Sequence, residues 1–205
     1  MKKALLIVDV QNDFLPGGAL PVPDGDAVIP VANLAMPLFE IVLATQDWHP
    51  ANHGSFASRH PGHKTGDEVF LDGLQLTLWP DHCVQNTHGA DFATELNRRP
   101  ILQVFRKGTE KDSDSYSGFY DNAHRKSTGL AEYLWASDVM EITIVGLTTD
   151  YCVNFTSTDA RALGLKTTVI LEGVRGVELK PGDCAKALDR MRSTGVLLQS
   201  ISELE

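Results

Sequence analysis

The stretch that decides the fold ends in a cysteine and runs Ile142-Thr143-Ile144-Val145-Gly146-Leu147-Thr148-Thr149-Asp150-Tyr151-Cys152. Its first half is a short β-branched apolar run, which predicts a buried strand, and its second half has the pattern of a helix start. Further apolar runs that predict strands recur at 4–10, 41–44, 101–105, 167–171 and 196–198. Helical patterns alternate with them at 26–39, 90–97, 128–136, 149–163 and 181–193. This alternation predicts an α/β fold with helices on both faces of a parallel sheet.

The composition favours a single globular domain, residues 1–205, that acts on a small molecule. Of its residues, 42% are hydrophobic and 22% charged, which is enough for a substantial core. A net charge of −9, without a basic cluster, opposes nucleic-acid and membrane partners. Asp9 interrupts the first apolar run, so no leader pattern follows the start. The three widely spaced cysteines form no disulfide framework, which predicts a cytoplasmic location. Assembly as a homo-oligomer is left open.

Three connections are longer than a minimal α/β domain needs, at about 11–25, 46–89 and 107–127. Loops of this length in compact domains usually have a function. The middle loop contains Trp48, Trp79 and most of the histidines, a composition unlike that of a disordered linker. We therefore expect the three loops to form the walls of a site.

Asp9, Lys107 and Cys152 each come directly after or near the end of a predicted strand. Taken singly, they read as a capping carboxylate, a solvated lysine and a small buried side chain. The carboxyl ends of parallel strands meet at one rim, however, so we expect all three side chains in one crevice. A base, a cation and a thiol together form a nucleophilic site, and a helix start favours the thiolate.

A second group of residues has the spacing of a metal site. Asp47 and His49 follow the second predicted strand, and His82 lies in a distant part of the same long loop. Two nearby ligands with a third from elsewhere are typical of a catalytic zinc with open positions. His53 is left undecided as a further ligand. His82 and Cys83 could instead form a nitrogen and sulfur pair, although no second cysteine has the usual spacing.

Six runs occur in order along the chain: Asp9-Val10-Gln11-Asn12-Asp13-Phe14, Gln46-Asp47-Trp48-His49-Pro50, Trp79-Pro80-Asp81-His82-Cys83-Val84, Lys107-Gly108, Asp114-Ser115-Tyr116-Ser117-Gly118-Phe119 and Gly146-Leu147-Thr148-Thr149-Asp150-Tyr151-Cys152-Val153. Together they resemble the motif series of nicotinamidases, in the isochorismatase-like cysteine hydrolase superfamily. One run would be weak evidence, but six in register span the chain from the first strand to the last helix.

The resemblance implies a three-layer α/β/α sandwich with a central six-stranded, mainly parallel sheet. It also implies a catalytic triad of Asp9, Lys107 and Cys152. One divalent metal ion, with zinc expected first and iron or manganese as alternatives, is implied on three ligands, Asp47, His49 and His82. The native metal cannot be chosen from residue types, because this ligand set suits all three ions.

The same resemblance implies an oxyanion hole made by the backbone N–H groups of Thr148 and Cys152, next to a cis peptide from Leu147. Thr148 departs from the family, which more often has alanine there. The implied reaction is hydrolysis of nicotinamide to nicotinate and ammonia through a cysteine thioester, in NAD salvage, and pyrazinamide is a second expected substrate. The expected substrate contacts are Phe14, Leu20, Trp79, Tyr116, Leu147 and Tyr151.

Three alternatives stay open beside this hypothesis. Hydrolysis of an isochorismate-type vinyl ether would use the same fold, but it does not need a thiol such as Cys152. Another amidase of the superfamily, for example one that acts on N-carbamoylsarcosine, is the second alternative, and the metal set argues for a pyridine carboxamide instead. The third is a non-catalytic metal-binding protein, which the intact set of acid, cation and thiol disfavours.

Overall fold

The computed structural model describes residues 2–71 and 73–204. Met1, Asp72 and Glu205, which belong to the predicted domain, lie outside the described residues. Within them the strands are β1 (Lys2–Val8), β2 (Ile41–Asp47), β3 (Glu68–Leu71), β4 (Leu74–Thr77), β5 (Ile101–Lys107), β6 (Val139–Leu147), β7 (Lys166–Arg175) and β8 (Leu197–Gln199). Six of them form a sheet in the order β5-β2-β1-β6-β7-β8, with every neighbouring pair parallel. The predicted six-stranded parallel sheet is confirmed.

The sheet is covered on both faces because its strands are apolar on both sides. On one face, Leu6 and Val8 of β1 belong to the same core cluster as Leu130 and Met191. On the other face, Leu5 and Ile7 belong to a second cluster with Ala32. Continuous apolar runs are what a parallel strand needs when both its faces are buried.

The helices are α1 (Val28–Ala35), α2 (Leu130–Ala136), α3 (Asn154–Ala162) and α4 (Asp183–Ser193). The first covers one face of the sheet and the other three cover the opposite face, so the predicted three-layer α/β/α sandwich is confirmed. Among the described helices, none combines the length and the apolar character that crossing a membrane requires.

The prediction of a helix at 90–97 is wrong. This segment has a 3-10 turn at His88–Ala90 and then irregular backbone. Its backbone groups bond to other parts of the chain: Ala90 O accepts from the side-chain amides of Gln11 and Gln46, and Ala93 N–H donates to Val10 O. The apolar residues that suggested a helix are buried, but in an irregular segment held by tertiary hydrogen bonds.

Several element boundaries differ from the prediction, and the reason is clear for the first helix and the first strand. The helix expected at 26–39 is α helical only at Val28–Ala35, with a 3-10 turn at Met36–Leu38 that contains Pro37, a residue that cannot continue the hydrogen-bond ladder. The first strand ends at Val8 because Asp9 has a positive φ of 48°. The long loop expected at 46–89 also contains an antiparallel hairpin of β3 and β4, which the sequence did not predict.

Candidate active site

Lys107, the last residue of β5, lies at the centre of the site. Its Nζ is 2.9 Å from Oδ2 of Asp9, 2.7 Å from Oδ1 of Asp47 and 3.4 Å from Sγ of Cys152. It also donates to the backbone oxygen of Ser115 at 3.0 Å. The ammonium is fully buried. The carboxyl ends of β1 and β5 and the turn after β6 thus bring Asp9 and Cys152 to the buried ammonium of Lys107.

The burial of this cluster controls its protonation. Burial by itself lowers the pKa of Lys107, but the carboxylates of Asp47 and Asp9 raise it, and the net pKa is well above the usual value, so the ammonium stays charged. Burial raises the pKa of Asp9, and Lys107 opposes this only in part. Asp9 Oδ1 accepts a hydrogen bond from the hydroxyl of Thr45 at 2.7 Å. Asp9 is therefore a more basic carboxylate than one in water.

The thiol of Cys152 is in a different state from the one that the sequence alone suggests. Burial raises its pKa well above the usual value, and the attraction of Lys107 counteracts this only in part. The favourable field of a helix start, from which we expected a thiolate, is outweighed by the loss of solvent. Because the pKa values of the Cys152 thiol and of the neighbouring Asp9 carboxyl are both raised, attack by the sulfur requires a proton transfer.

Cys152 lies in a π-helical turn, Thr149–Val153, that joins β6 to α3. Such turns are rare and occur often at functional sites. The peptide bond between Leu147 and Thr148 is cis, and Thr148 O accepts from the N–H of Val153 at 2.9 Å. Thr148 and Cys152 line the same pocket. The turn thus presents the thiol and the Thr148 backbone to one space.

The residues of the predicted metal set also meet. The ligand atoms of Asp47, His49 and His82 lie within 4.8 Å of one another. Oδ2 of Asp47 is 3.6 Å from Nε2 of His49 and 3.9 Å from Nε2 of His82. The Nδ1 atoms are held by backbone oxygens, that of His49 by Gly108 O at 2.9 Å and that of His82 by Pro80 O at 2.8 Å. An N–H held in this way leaves Nε2 of each ring as the ligand atom.

The electrostatics of this set also fit a cation. Burial tends to raise the pKa of Asp47, but Lys107 and His49 lower it well below its usual range. Burial lowers the pKa of His82 to about 4. Burial also tends to lower the pKa of His49, but Asp47 outweighs it and the net pKa is raised. Two imidazole nitrogens and an ionised carboxylate are the donors that zinc, iron and manganese accept, so these residues fit a divalent ion.

Gln11 is a site residue that the sequence argument missed. Its Oε1 accepts from the N–H of Asp47, and its Nε2 donates to Asp47 O and to Ala90 O, each at 2.8 Å. Gln11 is completely buried and holds both backbone groups of a metal ligand. The sequence does contain a hint, because the Gln11 amide directly follows the apolar run that predicts the first strand. The hydrogen-bond partners of Gln11, however, are 36 and 79 residues away in the sequence.

Gly108 permits the close approach of the His49 ring. It has a φ of +62°, and a Cβ at this position would lie 2.3 Å from Cε1 of His49. Only glycine adopts this conformation at little cost and leaves the space for the ring. The pair Lys107 and Gly108 thus supplies the cation and the contact that orients a metal ligand.

The undecided residue, His53, is completely buried beside the metal set. Its Nδ1 is 2.7 Å from the hydroxyl of Ser55, and its Nε2 is 3.3 Å from the backbone oxygen of Ser113. It also forms a second group of close ligand atoms with His49 and Asp114. Both nitrogens of His53 have partners within the protein, and its ring lies 4.3 Å from that of His49 between centroids.

Cys152 of the triad and the three residues of the metal set line one pocket, whereas Asp9 and Lys107 lie outside its lining. It is lined by Phe14, Leu20, Asp47, His49, Trp79, His82, Asp114, Tyr116, Thr148, Tyr151, Cys152 and Val177. Five of the six expected substrate contacts are among these residues. The sixth, Leu147, is not, because its side chain is buried in the core cluster of the α1 face. Asp114 and Val177 line the pocket although the sequence argument did not select them.

One wall of the pocket is aromatic. The ring of Tyr151 lies edge-on to Trp79 at 4.8 Å and to Tyr116 at 5.3 Å between centroids. Nε1 of Trp79 donates to the hydroxyl of Tyr116 at 3.4 Å. These contacts fix the three rings against one another, and their faces suit a flat ring of similar size.

Comparison with known proteins gives a consistent result. A family model described as Isochorismatase domain matches residues 3–203. The chain is 48% identical to the nicotinamidase of Escherichia coli (strain K12) over 207 residues, which cover 99% of this chain and 97% of that one. These matches extend over nearly the whole chain, as the six motifs do.

Solved structures resemble the chain equally closely. The Acinetobacter baumanii nicotinamidase pyrazinamidease has a TM-score of 0.96 at 42% identity, with 100% of this chain and 98% of that chain covered. PnC1 from L. infantum in complex with nicotinate has a TM-score of 0.87 at 33% identity, with 100% and 95% covered. The pyrazinamidase of Pyrococcus horikoshii in complex with zinc has a TM-score of 0.79 at 38% identity, with 98% and 99% covered.

Proposed function

Because the chain belongs to the isochorismatase-domain family, we propose that it hydrolyses nicotinamide to nicotinate and ammonia through a cysteine thioester. The observation that carries this proposal is the contact of the buried Lys107 ammonium with both Asp9 and Cys152, beside a pocket that Cys152 shares with the metal set. The chain is an amidohydrolase of the nicotinamidase kind, in agreement with its relatives. Nicotinate formed in this way serves NAD salvage.

The reaction begins with a proton transfer from Cys152 to Asp9. The raised pKa of Asp9 makes it a suitable acceptor, and Lys107 lies within 3.4 Å of the sulfur to stabilise the thiolate. The thiolate then attacks the carbonyl carbon of the carboxamide, and the carbonyl oxygen becomes an oxyanion. We assign its stabilisation to the backbone N–H groups of Thr148 and Cys152. One such donor typically contributes about 3 to 4 kcal/mol to the transition state.

The tetrahedral intermediate collapses when the carbon–nitrogen bond breaks. Asp9 returns its proton to the departing nitrogen, so ammonia leaves and the acyl group stays on Cys152 as a thioester. Asp9 then takes a proton from a water molecule, which attacks the thioester and releases nicotinate with the thiol restored. The sum is one nicotinamide and one water converted to nicotinic acid and ammonia, which are nicotinate and ammonium at neutral pH, so the three residues end as they began.

Asp47, His49 and His82 would hold one divalent metal ion, and we propose zinc, with iron or manganese as alternatives. The ligand atoms of these residues and the backbone bonds that orient both rings support this assignment. When bound, the ion supplies an open position for the pyridine nitrogen and so fixes the ring relative to Cys152. His53 packs its ring against that of His49, with 4.3 Å between the ring centroids, and its bonds to Ser55 and Ser113 fix it there.

The pocket supports a small flat carboxamide as substrate. We propose that Phe14, Leu20, Trp79, Tyr116 and Tyr151 contact the ring, since all five line the pocket. Pyrazinamide has a similar shape and a nitrogen at the same ring position, so we propose it as a second substrate.

The three cysteines are free, and this supports a location in a reducing compartment, the cytoplasm.

The test is ammonia release from nicotinamide by the purified protein with zinc, iron or manganese added. We expect turnover in the parent and in Cys184→Ala, whose thiol lies outside the pocket, and none above background in Cys152→Ala. Equal activity in Cys152→Ala would overturn the assignment of the nucleophile. No ammonia with any of the three metals would overturn the substrate, and a panel of other small carboxamides would then test the runner-up function.

A further inference from the structure

A second cavity, of about 470 Å³, lies beside the active-site pocket, and we call it the outer cavity. Its walls come from the hairpin of β3 and β4, the start of α3, the loop after β7 and one side of α4. The triad and the metal set do not line it. Among the described residues, Tyr151 alone lines both the outer cavity and the active-site pocket. The volume is large enough for a small organic molecule.

One wall of the outer cavity contains a buried amide without a partner. Asn154, the first residue of α3, is 4% exposed, and its Oδ1 has no hydrogen-bond partner within residues 2–71 and 73–204. A buried polar group without a partner is costly, so such a group in the lining of a cavity calls for a ligand that bonds to it. Because an amide can present either its oxygen or its NH2 group, the ligand can supply a donor or an acceptor.

The charges around the outer cavity favour a negatively charged ligand. Three carboxylates line it, and each accepts a hydrogen bond from within the protein: Glu68, Asp150 and Asp183. Of the three cations in the lining, Lys186 is paired with Asp183 at 3.2 Å. The other two, Lys180 and Arg190, form no ion pair with any carboxylate that the structure describes. Two cations without ion-pair partners at one cavity attract an anion.

The outer cavity also offers aromatic surface for a flat ring. Phe155 lines it, and the guanidinium of Arg190 lies over this ring, 5.3 Å from the centroid. The same ring lies 5.3 Å from that of Tyr116 between centroids. Tyr151 bonds through its hydroxyl to Thr77, which also lines the outer cavity. A flat ring packed here would therefore touch side chains that contact the aromatic wall of the active site.

We propose that the outer cavity is a second binding site, which takes a small organic anion with a flat ring. Its carboxylate or phosphate group pairs with Arg190 and Lys180, its ring packs against Phe155, and a polar atom bonds to the amide of Asn154. A molecule bound there restricts the movement of Tyr151 from its outer side, so it lowers kcat/KM for nicotinamide. The effect on turnover rests on the proposed function, whereas the binding does not.

The first experiment measures binding by isothermal titration calorimetry. Adenosine 5′-monophosphate and nicotinate are the probes that distinguish a phosphate from a carboxylate, and adenosine, which has a flat ring but no charge, is the control ligand. The variants are Arg190→Gln and the matched control Arg192→Gln, which changes a residue of α4 that pairs with Asp189 and lies outside the cavity lining.

We expect one of the two anions to bind the parent and to bind Arg190→Gln about tenfold more weakly, the usual effect of losing a charged hydrogen bond. Arg192→Gln should stay within about twofold of the parent, and adenosine should bind more weakly than the anion. Because nicotinate is also the proposed product, only the binding that Arg190→Gln weakens is assigned to the outer cavity. If neither anion shows such binding, the proposal is overturned.

A second variant separates a binding role of Asn154 from a structural one. Leucine has a similar size and no polar atom, so Asn154→Leu removes a buried amide that has no partner for its oxygen. The midpoint of urea denaturation should therefore stay the same or rise, while the affinity for the anion falls. Parent-like affinity in Asn154→Leu would overturn the role of the amide. If this variant does not fold, as judged by circular dichroism, Arg190→Gln decides the outcome, because its side chain is exposed.

Ammonia release from nicotinamide tests the effect on turnover. The anion should lower kcat/KM in the parent and in Arg192→Gln but not in Arg190→Gln, and the three proteins should have equal rates without it. Inhibition that persists in Arg190→Gln would place the anion in the active site and overturn the link through Tyr151. A parent protein that binds the anion through Arg190 but releases no ammonia would overturn the substrate assignment and leave the second site standing.

Discussion

Lys107 Nζ lies 2.7 Å from Oδ1 of Asp47, whose other oxygen faces the two imidazoles of the metal set. The same ammonium lies 2.9 Å from Asp9. One cation therefore balances a carboxylate of the triad and a carboxylate of the metal set. The charges of the triad and of the metal set are therefore coupled through Lys107. A substitution in one set should change the electrostatic environment of the other.

Replacing Lys107 with methionine should destabilise the fold. The change removes the cation and leaves Asp9 and Asp47 buried without it, and the loss of one partner of a buried ion pair typically costs about 3 to 5 kcal/mol. The free energy of unfolding, from urea denaturation of the metal-free protein, measures the effect. The control is Lys166→Met, whose partner Glu141 is at the surface, and we expect it to lose less than about 1 kcal/mol. Equal losses in both variants would contradict the central role of Lys107.

Replacing Gln11 with methionine should weaken metal binding without removing a ligand. Methionine has a similar length, but it cannot bond to the N–H and C=O of Asp47, which Gln11 holds at 2.8 Å. Buried groups left unsatisfied cost about 1 to 3 kcal/mol each, so Asp47 should shift or the fold should loosen. Zinc affinity and urea denaturation measure the two effects. Gln103→Met, at an exposed position of β5, is the control, and parent-like zinc affinity in the Gln11 variant would contradict the prediction.

Replacing Thr148 with alanine should change selectivity more than rate. The proposed oxyanion donor is the backbone N–H of this residue, which alanine keeps. Removing such a donor costs about 10²- to 10³-fold in kcat, so a side-chain change should cost less than about tenfold. Thr148 lines the pocket, so the ratio of kcat/KM for nicotinamide and pyrazinamide should shift. A loss of 10²-fold in kcat at unchanged zinc content would mean that the hydroxyl itself acts in the reaction.

Replacing His49 with alanine should lower the metal content and raise KM for nicotinamide. The change removes one of three ligands and the contact between its ring and Gly108. Elemental analysis after dialysis gives the zinc content, and initial rates of ammonia release give KM. His63→Ala, with an exposed ring paired to Asp67, is the control and should keep both values. A zinc content equal to that of the parent would show that the ligand set is misassigned.

The sequence was most informative about the strands and their ends. Apolar runs such as those around Leu6 and Ile144 predicted strands that the structure contains, because a strand buried on both faces must be apolar throughout. The segment at 90–97 misled for a related reason: it is apolar because Phe92 and Leu96 are buried, yet its backbone bonds are made by distant side chains. Apolar spacing reports burial and does not report which groups satisfy the backbone.

The sequence was less informative about the residues that surround the triad and the metal set. Gln11 and Thr45 are ordinary polar residues in the sequence, and their importance depends on partners 36 residues away. The importance of Asp114 depends on its burial in the folded chain, which the sequence does not show. Leu147 shows the opposite error, since a residue beside the site in sequence directs its side chain into the core. Neighbouring positions in a chain do not determine which way each side chain points once the backbone turns sharply.

By itself the sequence determined the α/β class, the alternation of strands and helices that predicts a parallel sheet, and the candidate residues Asp9, Lys107 and Cys152. It could do so because apolar patterns and reactive residues at strand ends are local properties of the chain. Only the tertiary structure decided that Lys107 is shared by Asp9 and Asp47, that burial raises the pKa of the Cys152 thiol, and that Asp114 has a buried oxygen without a hydrogen-bond partner among the described residues. These properties depend on distance and burial, since the removal of water both strengthens the attraction between charges and raises the cost of a charged thiol.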